Sequence, residues 1–385
     1  FWLAGELALD GSIRPVAGVL AMAEEARRHG AEGIAVAAAN AAEAALIDGL
    51  SVVALRSLRQ LADLGRELAP FDRAELPARS PNGVGPGHPD LAELRGPPYL
   101  RHALEVAAAG AHSTLIVGPP GAGKSLAARR LPTLLPPLGR DEAIEVTRIA
   151  SVCGRPPAPG TLAERPFRAP HHTVSAAGLV GGGNPPRAGE VTIAHGGVLF
   201  LDELGEFSRQ ALEALRQPLE DGLVSIARAE GRAVFPASFQ LVAAMNMCPC
   251  GGRGDPAAEC ACSAQKLAAF REKLSRALLD RFDLVVAVPR PRAADLSGHG
   301  GEQSEVVRAR VVDARERIRA GPLPRTPVAG ELLDRAVERL PLSGRGHARV
   351  GRGARTIAAL AGSESVAEEH VAEALAYRSP RELAT

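Results

Sequence analysis

The sequence predicts an α/β chain in which a parallel-sheet domain is preceded by a small α/β segment and followed by a helical one. Three observations carry this. Gly118-Pro119-Pro120-Gly121-Ala122-Gly123-Lys124-Ser125 fits the pattern G-x-x-x-x-G-K-[ST] at every fixed position. The apolar run Thr114-Leu115-Ile116-Val117 before it reads as a buried strand, and Ser125 to Leu131 after it has helical spacing. Downstream, Val198-Leu199-Phe200-Leu201 is a second apolar strand ending in two acids, and beyond Arg292 the pattern turns helical.

The chain has 385 residues, 46% of them hydrophobic, which allows two or three domains with ample core. A formal net charge of +1 gives no bulk signal for nucleic acid, so any such role falls to local arginine patches. Lysine is scarce, with only Lys124, Lys266 and Lys273, and one of the three stands where the phosphate motif requires it. The apolar stretch Gly33 to Leu46 is broken by Asn40 and Glu43 and is too short to span a bilayer, so no membrane segment is expected. Five cysteines, four of them clustered, suit a reducing, cytoplasmic setting better than a disulfide framework. The chain begins Phe1-Trp2-Leu3, without an initiator methionine or signal-peptide pattern, which reads as a fragment starting inside a domain.

Residues 1–70 alternate strand and helix patterns: a strand at Glu6 to Leu9, a turn at Asp10-Gly11, a helix near Val16 to His29, a strand at Gly33 to Ala38 and a helix from about Asn40. Residues 71–95 are rich in Pro, Gly and Asp and read as a linker. The nucleotide domain is expected over 96–290, opening with a helix at Gly96 to Ala109. Its loop glycines let backbone N–H groups curl around a β-phosphate, Lys124 would reach the β/γ oxygens, and the Ser125 hydroxyl would ligate Mg²⁺. Asp202 and Glu203 lie where a second motif must sit, Asp202 to hold Mg²⁺ through water and Glu203 to polarise the attacking water. The strand Phe239 to Met245 ends in Asn246, suited to sensing a γ-phosphate or water. Arg281, at a helix end before the strand Leu284 to Val288, is placed to cross a subunit boundary as an arginine finger, with Arg276 as competitor.

Two further clusters carry chemistry. Cys248-x-Cys250 and Cys260-x-Cys262 supply four thiolates, enough for one tetrahedral Zn²⁺, although C-x-C is a tighter chelate than the usual C-x₂-C. Leu223 to Arg228 and Arg232 to Phe235, separated by Ala229-Glu230-Gly231, read as a hairpin with Arg228 and Arg232 near its tip. His171 and His172 read as loop residues rather than metal ligands, and Cys153 as a lone core or loop residue.

Several phrases make a resemblance specific: Phe167-Arg168-Ala169-Pro170-His171-His172-Thr173, the run Gly189 to Glu203, Phe235-Pro236-Ala237, Cys248-Pro249-Cys250-Gly251 and Ala354-Arg355-Thr356-Ile357-Ala358. The chain resembles the magnesium-chelatase-like branch of AAA+ ATPases, and within it the ComM/YifB family. Two departures are Met247, where that family usually has proline, and Arg276-Ala277 in place of a usual Gly-Pro. The resemblance implies a P-loop AAA+ domain with a C-terminal helical lid over 291–385, ATP and Mg²⁺ as cofactors, a hexameric homo-oligomer, and ATP-driven branch migration on DNA during recombination of incoming strands. A chelatase-type chaperone that remodels a protein partner is the alternative. Residues 1–70 resemble the end of a Lon-protease-like domain. Leu20 stands where Lon would carry its catalytic lysine, so a docking role is expected there rather than peptidase chemistry. In such lids an arginine at the start of a helix reaches the γ-phosphate, which points to Arg345, with Arg352 and Arg355 behind it. The hairpin at 223–236 would line the central pore, and its arginines would contact DNA phosphates.

Overall fold

A computed structural model describes residues 1–63, 69–72, 89–228, 231–293, 295, 300–340 and 343–378. The chain divides into two compact units, one formed by residues 1–83 with 137–166, the other by 84–136 with 167–385. The segment 137–166, which the sequence reading left inside the nucleotide domain, thus folds with the N-terminal residues, and the helical lid belongs to the same unit as the nucleotide sheet.

In the first unit, strands β1 (Trp2–Ala4), β2 (Gly33–Ala37) and β3 (Ser51–Leu55) form a parallel sheet in that order. Helix α1 (Val19–Arg28) buries Val19, Leu20, Ala23 and Ala26, an i, i+1, i+4, i+7 set that makes one apolar stripe. The helix Arg140–Val152 is tied in by buried polar contacts. Ser151 Oγ accepts from Gly18 N–H at 3.0 Å and donates to buried Glu43, whose carboxylate also takes the Leu20 N–H at 3.1 Å. Buried polar atoms of this kind need such partners, and Ser151, brought from more than a hundred positions away, supplies two of them here.

The second unit is built on a parallel sheet. Helix α2 (Pro98–Gly110) leads to β4 (Thr114–Val117) and, across the phosphate motif, to the short α3 (Lys124–Ala128). Then come β5 (Phe167–Arg168), β6 (Val198–Leu201), the antiparallel hairpin β7 (Leu223–Arg228) and β8 (Gly231–Pro236), β9 (Gln240–Met245) and β10 (Leu284–Ala287). Among the described residues the sheet order is β10-β4-β9-β6-β5, all parallel. Strands β4, β6 and β9 are buried throughout, as strands covered on both faces must be. Their alternation sorts residues into two cores. Ile116, Phe200, Val242 and Ala244 face one side, and Leu115, Val117, Leu199, Leu201, Leu241 and Ala243 face the other.

The first of those cores is closed by the lid helices α4 (Ser304–Ala320), α5 (Pro327–Arg339), α6 (Gly344–Leu360) and α7 (Glu368–Ala376). Each contributes an apolar stripe, such as Val307, Val311 and Ala314 or Val350, Ala354, Ile357 and Ala358. Thr326 and Ser343 cap α5 and α6, their hydroxyls accepting the Ala329 and Gly346 N–H groups. No described helix is long and apolar enough to cross a membrane.

Lid and sheet meet at Asp283. Its Oδ2 accepts the Ser113 N–H at 3.0 Å, and its Oδ1 accepts from Arg349 at 2.8 Å and Arg352 at 2.9 Å, with His112 Nδ1 3.8 Å away. Burial works to raise this carboxyl, but His112, Arg349 and Arg352 beside it prevail and hold it down at about 2. Asp283→Asn should therefore lower the unfolding free energy by about 3 kcal/mol at neutral pH, since it removes one partner of a buried ionic cluster. Because the folded value lies below the 3.8 of the free side chain, the carboxylate's contribution is complete above about pH 4 and drains away as pH falls through about 2. Urea unfolding should show the gap between wild type and variant narrowing from about pH 5 to about pH 2.5, and equal stabilities at pH 7 would exclude Asp283 as the fastening point.

Candidate nucleotide site

The carboxyl edge of the sheet gathers the ends of β4, β6 and β9. At the end of β4 the chain turns into the motif loop, with Gly121 at φ 76° and Gly123 at φ 85°, conformations that favour glycine. Gly118 is required for another reason, because a Cβ there would lie 2.0 Å from the Val288 carbonyl oxygen. Pro119 and Ala122 are buried beneath the loop, while Pro120 and Gly121 are exposed at its crest. The loop delivers Lys124 and Ser125 to the first turn of α3, where free N–H groups and the helix dipole favour an anion.

Lys124 is buried, and its Nζ donates to the carbonyls of Gly118 and Pro119 at 2.8 Å each and to Asn246 Oδ1 at 2.9 Å. Burial lowers its pKa from the ordinary lysine value, with Asp202 and Glu203 pulling the other way. The Ser125 hydroxyl donates to Asp202 Oδ2 at 2.7 Å. Lys124, Ser125, Asp202 and Asn246, spread over more than 120 positions, thus converge through direct hydrogen bonds. Their hard oxygen donors suit Mg²⁺: a hydroxyl and a carboxylate beside a phosphate loop form the usual partial coordination set for that ion. Glu203 follows Asp202 but is turned outward, 59% exposed in its side chain, at φ 54° and ψ 49°.

His172 is the site residue that sequence reasoning missed. Its Nδ1 lies 3.4 Å from Glu203 Oε2, while His171 Nδ1 faces the Thr173 hydroxyl at 2.9 Å. The available signal was topological: β5 pairs with β6, so the loop leaving β5 rises beside the acids that end β6.

The arginines lie elsewhere. Arg281 and Arg345 both hold Glu220 Oε1, at 2.6 and 2.9 Å, and line a cavity of about 450 Å³ with Arg349 and Arg352. Arg281, expected to project as a finger, is only 5% exposed, because Glu220 and the Ala277 carbonyl hold its guanidinium inward. Exposed Arg276 begins the short helix before it. Arg345 was expected on the γ-phosphate, but it begins α6, whose Arg349 and Arg352 hold Asp283 at the amino edge of the sheet, where the Asp283 and Leu284 N–H groups donate to the Ser113 carbonyl. The motif loop is at the opposite edge, a strand length or about 13 Å away. Within one chain neither arginine joins the phosphate loop. Arg355 instead donates to the Ile318 and Gly321 carbonyls inside the lid.

The hairpin β7–β8 pairs Ala227 with Arg232 and Arg228 with Gly231. Arg232 is exposed, its Nε donating to Ser225 Oγ at 3.1 Å. The turn residues Ala229 and Glu230 and the side chain of Arg228 lie outside the described residues.

The four cysteines come together after Asn246. Cys248 is fully buried, and the Sγ atoms of Cys248, Cys250, Cys260 and Cys262 all lie within 4.8 Å of one another. Gly252 makes this possible, since a Cβ there would meet the Glu259 carbonyl oxygen at 2.6 Å as the second C-x-C pair crosses the first.

A family model described as magnesium chelatase, subunit ChlI, matches residues 90–296. A second, for the C-terminal part of that subunit, matches 323–378, and a third, for subunit ChlI of Mg-chelatase, matches 1–40. Competence protein ComM of Haemophilus influenzae is 38% identical over 404 residues, covering 98% of this chain and 78% of ComM. YifB of Escherichia coli K12 is 37% identical over 395 residues, covering 98% of this chain and 77% of YifB. An uncharacterized protein of Mycobacterium tuberculosis H37Rv is 44% identical over 398 residues, with 98% and 78% covered. Likeness of this extent, spread over both units rather than confined to the phosphate loop, means that the chain belongs to the ComM/YifB family of magnesium-chelatase-like AAA+ ATPases.

Proposed function

We propose that the chain is an ATP-hydrolysing motor that works on DNA as a ring of identical subunits. The observation that carries the hydrolytic part is the convergence of Lys124, Ser125, Asp202 and Asn246 at one sheet edge with Glu203 exposed beside them. On this reading the loop N–H groups and Lys124 bind the β- and γ-phosphates, and Ser125 and Asp202 hold Mg²⁺, which when bound offsets phosphate charge. Asn246 orients the water or γ-phosphate, and Glu203 takes the proton of the attacking water. Zn²⁺ on the four thiols is a third, structural cofactor.

The arginine pair at the amino edge would serve a neighbouring subunit. Arg281 and Arg345 cannot reach their own phosphate loop, and the Glu220 carboxylate they share stands where a phosphate oxygen of the neighbour's nucleotide would bind. Family membership and the name of the Haemophilus relative favour DNA as the substrate, with the exposed hairpin as its contact.

Glu203→Gln should leave Mg-ATP binding intact and reduce turnover about 100-fold or more, read by nucleotide titration alongside phosphate release. Turnover within a few-fold of wild type would remove Glu203 as the base. Arg281→Ala should be comparably inactive alone, yet regain activity when mixed with Glu203→Gln subunits, because some junctions then pair an intact finger with an intact site. An absence of recovery at every mixing ratio, with assembly verified, would show that Arg281 does not act in trans. Replacing Arg228 and Arg232 by alanine should spare basal hydrolysis while weakening binding to forked, four-way and single-stranded DNA and reducing the salt slope by about 1 per arginine. If no DNA affects hydrolysis in the wild type, the protein-remodelling alternative gains.

A further inference from the structure

The loop that carries the cysteines is also part of the nucleotide site. It begins at Asn246, whose Oδ1 accepts from Lys124, and its Gly251 presses on the phosphate loop: a Cβ there would lie 2.6 and 2.8 Å from Pro120 Cγ and Cδ. Midway along it Arg290 holds Asp255 at 3.0 Å. Between these anchors the described hydrogen bonds are short-range turns, such as Gly251 N–H to Cys248 O at 3.1 Å and Asp255 N–H to Gly252 O at 3.3 Å. A segment of this kind has little of its own to keep it in one conformation.

The thiols supply what is missing. Cys248 to Cys250 is 3.4 Å between Sγ atoms, Cys250 to Cys260 is 3.7 Å and Cys260 to Cys248 is 3.7 Å. Four sulfurs bound tetrahedrally at about 2.3 Å from one zinc would stand about 3.8 Å apart, so the three edges among Cys248, Cys250 and Cys260 match a single-ion site and are far too long for disulfides, with Cys262 Sγ within 4.8 Å of each. Thiolates select a soft or borderline ion, and the Arg253 N–H donating to Cys248 Sγ at 3.3 Å is the outer support such a ligand calls for.

We infer that Zn²⁺ on Cys248, Cys250, Cys260 and Cys262 is a positioning clamp for the ATP site, fixing Gly251 against Pro120 and Asn246 against Lys124. The inference rests on the zinc reading of these thiols and gives that ion a task. As the four Zn–S bonds form, the thiol protons pass to solvent and no electron moves. The two C-x-C pairs are then closed on each other across Gly252, and the loop can no longer drift from the phosphate loop. Cys250 and Cys260 are exposed, so a chelator or an oxidant can reach the ion.

The test compares full-length protein purified without chelator, the same protein stripped of metal and reloaded with zinc or magnesium, and Cys260→Ser and Cys262→Ser. Elemental analysis should give about one zinc per chain, with the four thiols shielded from a thiol reagent until the metal is removed. Affinity for a fluorescent ATP analogue and phosphate release should both fall about tenfold or more in the stripped protein and in the variants, and zinc alone should restore the stripped protein. Protease mapping should show new cleavage confined to 247–262, which separates loss of the clamp from global unfolding. Zinc well below half an equivalent with four reactive thiols, or iron in its place, would overturn the zinc reading. One zinc per chain with unchanged nucleotide binding and turnover after stripping would overturn the clamp and leave the zinc site standing. Absence of hydrolysis in the zinc-loaded protein itself would count against the ATPase reading, with nucleotide affinity still deciding the clamp.

Discussion

A single buried carboxylate sets the geometry of the ATPase unit. Asp283 is taken from water, where an unpaired charge would cost several kcal/mol, so the fold must bring it partners. They come from two places: the Ser113 N–H at the start of β4, and Arg349 and Arg352 one turn apart on α6. Satisfying Asp283 therefore fixes the lid helix against the amino edge of the sheet. The lid's apolar stripes then complete the core on one face of the sheet, with Ile116, Val242 and Leu284 on the sheet side and Val350, Ala354 and Ile357 on the lid side.

A parallel sheet has two unlike edges, and this chain uses them differently. The carboxyl edge is where loops leaving β4, β6 and β9 converge, and it holds every residue with a proposed role toward phosphate or metal in the same chain. The amino edge holds Arg281 and Arg345 on Glu220, Arg281 two residues before Asp283 in the chain and Arg345 on the helix that Asp283 fastens. Sheet direction thus separates the negative-charge receptors of one chain into two groups that cannot meet within it. On the proposed ring reading, a second copy offering its carboxyl edge to this chain's amino edge would bring both groups to one nucleotide.

Much of the candidate site was legible because its signals are local. The phosphate loop, the acids after β6 and the amide after β9 each lie within a few residues of a strand end, so naming the strand located the side chain. The hairpin and the lid helices were legible for the same reason, from alternation and from i, i+3, i+4 spacing. What stayed hidden depends on pairing over long separations. The segment 137–166 has an ordinary helix pattern, and nothing in it announces that Ser151 will meet Glu43 and Gly18. The inward pull on Arg281 comes from Glu220, 61 positions earlier, and the position of Arg345 from a contact of Arg349 with Asp283. His172 reads as a loop histidine until the order β6-β5 is known.

Among the described residues two non-glycine positions have positive φ, Ala111 after α2 and Glu203 at the site. A non-glycine residue at φ 54° costs roughly 1 kcal/mol, and here it is held by its own N–H donating to Asp202 Oδ1 at 3.0 Å and its carbonyl accepting from Glu206 at 2.8 Å. The turn it makes separates two adjacent carboxylates, one bonded to Ser125, the other exposed toward His172. Two acids left on one side of the strand end would compete for the same cations and repel each other. Split as they are, one is immobilised beside the phosphate loop, while the other keeps a free oxygen and an imidazole that can hold its orientation. The strain thus falls where the proposed chemistry needs adjacent residues to differ most, as expected when a local rule is broken for function rather than for stability.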